Sequence, residues 1–251
     1  MAATTDATQP SINLAQAIVS GLVRFGRAIR TRFTYALRTT SGRIGLPIVI
    51  LHLTLALVGP WLAPYSATEF HYDDAGQIHQ LLSPSSQFWL GTDQFGRDLL
   101  SRIMSGARSL IVVSVAGAGL GILLGTLVGM SSGYKGGKTD EITMRIMDGM
   151  MSFPSLLLAL LVLTTLGAMN PPMEWMNSIW QETLIVGTTG VVFMPRVARV
   201  LRSATLVLKE MEFVQSARLR GEPTFYIIFR EILPNAVSVL SVEASIRLSY
   251  A

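Results

Sequence analysis

Cysteine is absent from this 251-residue chain, which rules out a disulfide framework and thiolate metal sites. Charge is scarce as well: Asp, Glu, Lys and Arg make up 14% of residues, where a soluble domain carries about 25%. The three histidines are scattered, and no nucleophile stands beside a base, so the ingredients of an enzyme site are missing. Apolar residues take up the room. Half of the chain is hydrophobic and its mean hydropathy is +0.46, which places it among membrane proteins before any motif is considered. Its 22 glycines suit close helix packing, since glycine is commoner in membrane helices than in soluble ones.

Residues 1–11 are polar and read as disordered. Across 14–37, Leu14, Ile18, Leu22, Phe25, Ile29 and Phe33 fall on one side, with Arg24, Arg27, Arg30, Arg32 and Arg38 largely off it. That pattern predicts a basic amphipathic helix lying in the membrane interface. Residues 1–43 thus form an N-terminal segment and 44–251 a membrane domain. Residues 44–68 carry no Asp, Glu, Lys or Arg and are long enough to cross about 30 Å of hydrocarbon. Trp61 and Tyr65 lie near the end of this first span, which Pro60 and Pro64 close.

A polar loop follows over 69–108. In it Thr92 or Asp93 is expected to cap a helix whose apolar face is Leu99, Leu100, Ile103 and Met104. His71, Asp73, Asp74 and His79 share the loop without a diagnostic ligand spacing, so no metal site is assigned. In the second span, 110–130, Gly117, Gly121, Gly125 and Gly129 recur every fourth residue on one face, a surface for another helix to approach closely. Residues 132–139, SGYKGGKT, come near a phosphate loop. Ser132 replaces its first glycine and a membrane helix replaces the preceding strand, so a tight cytoplasmic turn is predicted instead. The third span, 150–169, is softly broken at Pro154; Pro171, Pro172, Trp175 and Trp180 follow it. The fourth, 183–201, ends among Arg196, Arg199 and Arg202, and the fifth, 233–251, holds Glu243 and Arg247 at i, i+4, read as an ion pair.

Between the last two spans lies a polar loop, about 203–234. A first helix over 209–220 is expected to stop at a left-handed Gly221. Pro223 then opens a second helix striped by Phe225, Ile228, Phe229 and Ile232, with Pro234 ahead of the final span. Lys and Arg counts orient the whole. With the N-terminus in the cytoplasm, inner segments carry sixteen basic residues and outer segments three, the remaining one being Arg247.

Gln215, Ser216 and Ala217, then Gly221, then Ile232, Leu233 and Pro234 resemble the coupling-loop signature of bacterial ABC importer permeases. Gln215 stands where that signature has Glu, and Ser216 where it has Ala. Gly91, Thr92, Asp93, Gly96, Arg97 and Asp98 resemble, nearly residue for residue, a segment of the second permease subunit of dipeptide, oligopeptide and nickel importers. Gly133 to Gly137 with Asp140, Arg145 and Pro154 point the same way. The resemblance implies an all-α polytopic bundle of the type I importer permease kind, with five spans here and a sixth beyond residue 251, so the chain reads as C-terminally truncated.

It further implies a subunit in the bacterial cytoplasmic membrane, surrounded by lipid, that forms half of a path for peptides. A second permease subunit would complete that path. One or two ATPase subunits, carrying ATP and Mg, would grip the 212–234 loop from Glu212 onward. An extracytoplasmic binding protein would dock near the Gly91–Asp98 motif. No cofactor of its own and no nucleic acid are implied. Nickel or another small ligand is the alternative cargo. A secondary transporter or channel would use Glu243 and Arg247 for ion coupling, but inverted repeats are not evident.

The orientation is testable because single cysteines can be introduced into a chain that has none. Cysteines at Ser11 and Arg220 are expected to label from the cytoplasm, and one at Asp74 from outside. Labelling of position 220 from outside intact cells overturns the topology.

Overall fold

The computed structural model describes residues 37–73, 76–169 and 179–250. The basic helix expected over 14–37 therefore lies outside them but for its last residue, as do Asp74 and the Pro171–Pro172–Trp175 loop. The chain divides into two compact units, Met1–Ala107 and Arg108–Ala251. Among the described residues there are helices, two isolated β-bridges and no sheet.

In the first unit, α1 (Thr40–Leu62) starts where Thr39 Oγ1 accepts the Gly42 N–H at 3.1 Å. It contains Pro47 and Pro60, so Pro60 lies inside the helix rather than after it. The chain leaves at Ala63 and passes through a small lobe to α2 (Leu99–Lys135). The short capped helix and the second span expected separately are one continuous helix of 37 residues. At 1.5 Å per residue it is about 55 Å long, well beyond a hydrocarbon core of roughly 30 Å, so its ends project. Its cap is Asp98, not Thr92 or Asp93: Asp98 Oδ2 accepts the Ser101 N–H at 2.8 Å.

In the second unit, α2 ends at Gly136 and Gly137, both at positive φ (67° and 58°). The turn is thus this glycine pair alone, and the preceding Ser-Gly-Tyr-Lys is still helical. Then come α3 (Gly137–Ser152) and α4 (Ser155–Gly167), which meet at 86°. The soft break expected at Pro154 is a sharp corner. Proline forces its predecessor out of the α region, and Phe153 obeys with φ −81° and ψ 135°. Next, α5 (Trp180–Leu208) holds Pro195 in its interior. A short α6 (Glu212–Leu219) begins three residues later than expected, because Lys209 caps α5.

Last is α7, Thr224–Tyr250, unbroken from the second loop helix through the final span. Its residues Ile227–Ile232 form a π-helical segment, in which the Leu233 N–H reaches back five residues to the Ile228 carbonyl. The widened turn lets Pro234, which offers no N–H, sit in the helix without ending it.

The glycine row of α2 lies against α5. A Cβ at Gly117 would come 2.9 Å from Thr189 Cβ, at Gly121 2.8 Å from Phe193 Cβ, at Gly125 2.5 Å from Val197 Cβ and at Gly129 2.2 Å from the Ala198 carbonyl oxygen. Gly133 extends the row, 3.0 Å from the Arg202 carbonyl oxygen. Both helices advance together along this contact, so α2 and α5 run in the same direction. The chain between them must therefore return across the membrane, and the bent α3–α4 pair is the element that can do so.

Filling the row is expected to cost about 1–3 kcal/mol, the usual penalty of overpacking. Gly125→Leu and Gly121→Leu should therefore lower the yield of folded protein in mild detergent. Leu123→Ala, at an exposed position, should be milder. Thermal unfolding of the purified chain measures the difference, and equal midpoints for Gly125→Leu and wild type would refute the packing role.

Candidate functional site

The lobe between α1 and α2 is organised by the carboxylate of Asp93. Its Oδ1 accepts the backbone N–H of Phe95 at 2.8 Å and of Arg97 at 3.0 Å. Its Oδ2 takes Arg97 Nε at 2.9 Å and Nη2 at 2.8 Å, and also Arg102 Nη1. Burial on its own would raise the pKa of this carboxyl. The hydrogen bonds from the backbone and side chain of Arg97 and from the Phe95 N–H, with the Arg97 charge, outweigh it and hold the pKa at about 2.

Thr92 Oγ1 accepts the Leu82 N–H at 2.9 Å and donates to the His79 carbonyl. Gly91 and Gly96 both take positive φ, and a Cβ on Gly91 would lie 2.1 Å from the Leu82 carbonyl oxygen. Asp98 and Ser101 close the lobe, with the Tyr65 N–H donating to Ser101 Oγ at 3.0 Å. The six motif residues thus come together as one tied turn. Phe88 is buried among Tyr65, His71 and His79, whose rings lie 5.6, 5.0 and 6.1 Å from it. Among the described residues no group of three His, Cys, Asp or Glu is placed to hold a metal.

The second cluster is the 212–234 loop. Val214 and Ala217 of α6 are fully buried with Met130 of α2, Val197 and Leu201 of α5, and Ile227, Ile228 and Ile232 of α7. Glu212, Gln215 and Ser216 face outward, as does Leu219, which is 90% exposed. The Gln215 amide donates to the Glu210 carbonyl at 3.0 Å. Helix α6 stops in a complete two-bond C-terminal motif: the Glu222 N–H bonds the Ala217 carbonyl at 3.2 Å, and the Gly221 N–H the Arg218 carbonyl at 3.0 Å. Gly221 itself has φ +79° and nothing within 4 Å of where a Cβ would stand. Its constraint is therefore conformational rather than steric. Arg220 Nη2 then reaches Glu231 at 3.2 Å, tying the two sides of the loop. Ile232 is buried, Leu233 half-buried and Pro234 exposed on α7.

Glu243 and Arg247 stand apart from both clusters. They are 6% and 7% exposed, with Arg247 Nε 2.8 Å from Glu243 Oε1 and its guanidinium 5.7 Å from the Phe193 ring centre.

A set of ties escaped the sequence reading. Arg202 of α5 holds Asp140 of α3 with two hydrogen bonds of 2.6 Å, and Arg199 pairs with Asp148. Lys209 Nζ donates to the Gly133 carbonyl at 3.1 Å, and Arg218 lies 5.1 Å over the Tyr134 ring. Instead of only reaching toward water, these cations clamp α3 and the end of α2 to α5 and α6.

The pattern of binding-protein-dependent transport system inner membrane components matches residues 121–251, the stretch that holds the glycine row from Gly121 onward, the loop and the final helix. The chain belongs to that family. Glutathione transport system permease protein GsiD of Pectobacterium atrosepticum is 35% identical over 200 residues, 80% of this chain and 61% of that protein. Oligopeptide transport system permease protein OppC of Bacillus subtilis is 32% identical over 208 residues, 83% of this chain and 63% of the relative. Probable D,D-dipeptide transport system permease protein DdpC of Escherichia coli is 34% identical over 209 residues, covering 81% and 63%. The chain thus spans about three fifths of the length of the curated relatives it matches. As a member of this family with, among the described residues, four helices long and apolar enough to cross a membrane, or five with the bent pair, it is an all-α multi-pass membrane protein.

The low pKa of Asp93 fixes how the lobe responds to acid. Because the folded carboxyl titrates near 2 and not at its ordinary 3.8, its ionised form stabilises the folded lobe. That contribution is complete above about pH 4 and is lost as pH falls through 2. Asp93→Asn should remove it at neutral pH, at about 1.5–3 kcal/mol for hydrogen bonds to a charged group. Amide exchange at Phe95 and Arg97 measures this; unchanged protection in the variant would show that Asp93 does not hold the turn.

Proposed function

We propose that this chain is a permease subunit of an ATP-driven ABC importer for peptides, coupled to a separate ATPase through the 212–234 loop. One observation carries the reading. The loop folds into a knob whose inner side is locked into the helix bundle by Val214, Ala217 and Ile232. Its outer side presents Glu212, Gln215, Ser216, Leu219 and Phe225. A surface with this much exposed apolar area beside polar groups is built to be covered by another protein.

The knob continues without a break into α7, so a force on it is delivered to the final span. ATP-driven closure of the ATPase would select between helix arrangements by binding one of them better. ATP and Mg belong to that partner, and this chain is not itself an enzyme. A second permease subunit completes the path. An extracytoplasmic binding protein delivers cargo near the Asp93 lobe, and the N-terminus and knob lie in the cytoplasm of a bacterium. Relatives named for oligopeptide, D,D-dipeptide and glutathione transport support peptides as the cargo class.

Gly221→Val tests the knob. A β-branched residue at φ +79° costs about 1–3 kcal/mol of backbone strain and displaces the start of the second helix. The variant should insert normally yet lose ATPase association and coupled transport in the reconstituted complex. Gln215→Glu should be tolerated. Wild-type coupling by Gly221→Val would show that the loop is not the handle.

A further inference from the structure

We propose that α3 is an interfacial helix. It lies in the plane of the membrane at the knob end of the bundle, with an exposed apolar stripe seated among anionic lipid headgroups and the acyl chains just beneath them. Its composition sets it apart from the spans. Lys138, Asp140, Glu141, Arg145 and Asp148 put five charges into sixteen residues, too many for a helix inside hydrocarbon. Beyond the Pro154 corner, α4 carries none. The return across the bilayer therefore falls to the α4 side of the corner.

The geometry gives the orientation. Leu158, Val162 and Leu166, one per turn of α4, line a hollow together with Thr183, Gly187 and Val191, one per turn of α5. Those two helices thus run side by side along the crossing direction. Helix α3 meets α4 at 86°, so it runs across that direction, close to the plane of the bilayer. Its depth follows from its ties. Asp140 holds Arg202 and Asp148 pairs with Arg199, which fastens α3 at the level where α5 turns cationic.

Three sides of α3 can then be told apart. Asp140 and Met147 are buried. Glu141 and Arg145 pair at 2.7 Å with side chains 60% and 77% exposed, as a water-facing side does. The third side is apolar yet uncovered. Ile142 and Ile146 are 59% and 56% exposed, Gly149 has nothing within 4 Å of where a Cβ would stand, and Phe153 at the corner is 63% exposed. On a helix Ile142, Ile146 and Gly149 fall within about 60° of one another. Lys138, one turn before Ile142, and Arg145 border this stripe, and no acid stands in it. Past the corner the exposed apolar surface continues as Leu156, Leu157, Leu160 and Leu161 of α4. A stripe continuous with the surface of a span and edged by cations fits the boundary of an anionic leaflet, where such helices bury their apolar side about 5–10 Å deep.

The seating does not rest on the transport reading, since it is measured without turnover. The chain has no cysteine, so Ile142→Cys, Ile146→Cys and Glu141→Cys can each carry an environment-sensitive fluorophore. The labelled full chain is reconstituted in vesicles of phosphatidylcholine and phosphatidylglycerol. Nitroxide phospholipids should quench the label at 142 and 146 several-fold more than at 141, and aqueous iodide should show the reverse order. Equal iodide quenching at all three positions would put the stripe in water and overturn the proposal. Beside residue 142, nitroxide phosphatidylglycerol should quench better than nitroxide phosphatidylcholine. Lys138→Ala should reduce that preference about fivefold, the factor equivalent to roughly 1 kcal/mol per lysine near a charged lipid surface. An unchanged preference would overturn the headgroup contact. In the complex purified from native membranes, lipid quenching at 142 and 146 should persist; its loss there would mean a protein-covered face and overturn the proposal.

Discussion

Everything in the second unit depends on how closely α2 and α5 approach. Five glycines over four turns bring the backbone of one helix to the Cβ atoms and carbonyls of the other. In lipid the hydrophobic effect gives helices no reason to associate, so contact at this range supplies the van der Waals attraction that holds them. The contact also fixes the relative translation of the two helices, since any slide drives a glycine gap onto a side chain. Arg202 can then meet Asp140, and Lys209 the Gly133 carbonyl, at hydrogen-bonding distance. The polar ties are secondary to the glycine row: they lock a register that the row has already set.

The loop is built on the same foundation. Val214 and Ala217 have a place to be buried because Met130, Val197 and Leu201 are brought together by the α2–α5 pair. An eight-residue helix such as α6 is too short to be stable by itself in water. It persists because one face is sealed against this core and its end is closed by the Gly221 turn. The outward face carries only peripheral ties within the chain, such as the Gln215 amide to the Glu210 carbonyl and Arg218 over the Tyr134 ring.

What could be read from the sequence was what leaves a local trace. A four-residue glycine period marks a helix face wherever the partner lies, and Gly221 between two helix-forming runs marks a left-handed stop. Asp140 and Arg202 leave no such trace: they are 62 positions apart, and neither stretch announces the other. The corner at Pro154 is sharper than the sequence predicts, because a proline dictates an extended predecessor but not the angle between the flanking helices. Thr92, Asp93 and Asp98 are all residue types that cap helices, so spacing could not choose among them. The choice fell to Asp98 because Asp93 is occupied by Arg97 and Arg102. From sequence Pro234 reads as a boundary, because a proline in an ordinary helix collides with the carbonyl four residues back. A single wider turn removes that collision.

That wider turn also sets a rotational phase. A five-residue hydrogen-bond reach accommodates one residue more than an α-turn does, and one residue corresponds to about 100° about the helix axis. Every side chain beyond Ile232 is therefore clocked by that amount relative to the loop end of the same helix. Ile228 and Ile232 on the loop side of the turn and Ala236, Glu243 and Arg247 beyond it are all buried. Replacing the π-turn with an ordinary α-turn would re-aim the far half of the rod, including Arg247 beside Phe193 of α5, relative to the seat of the loop.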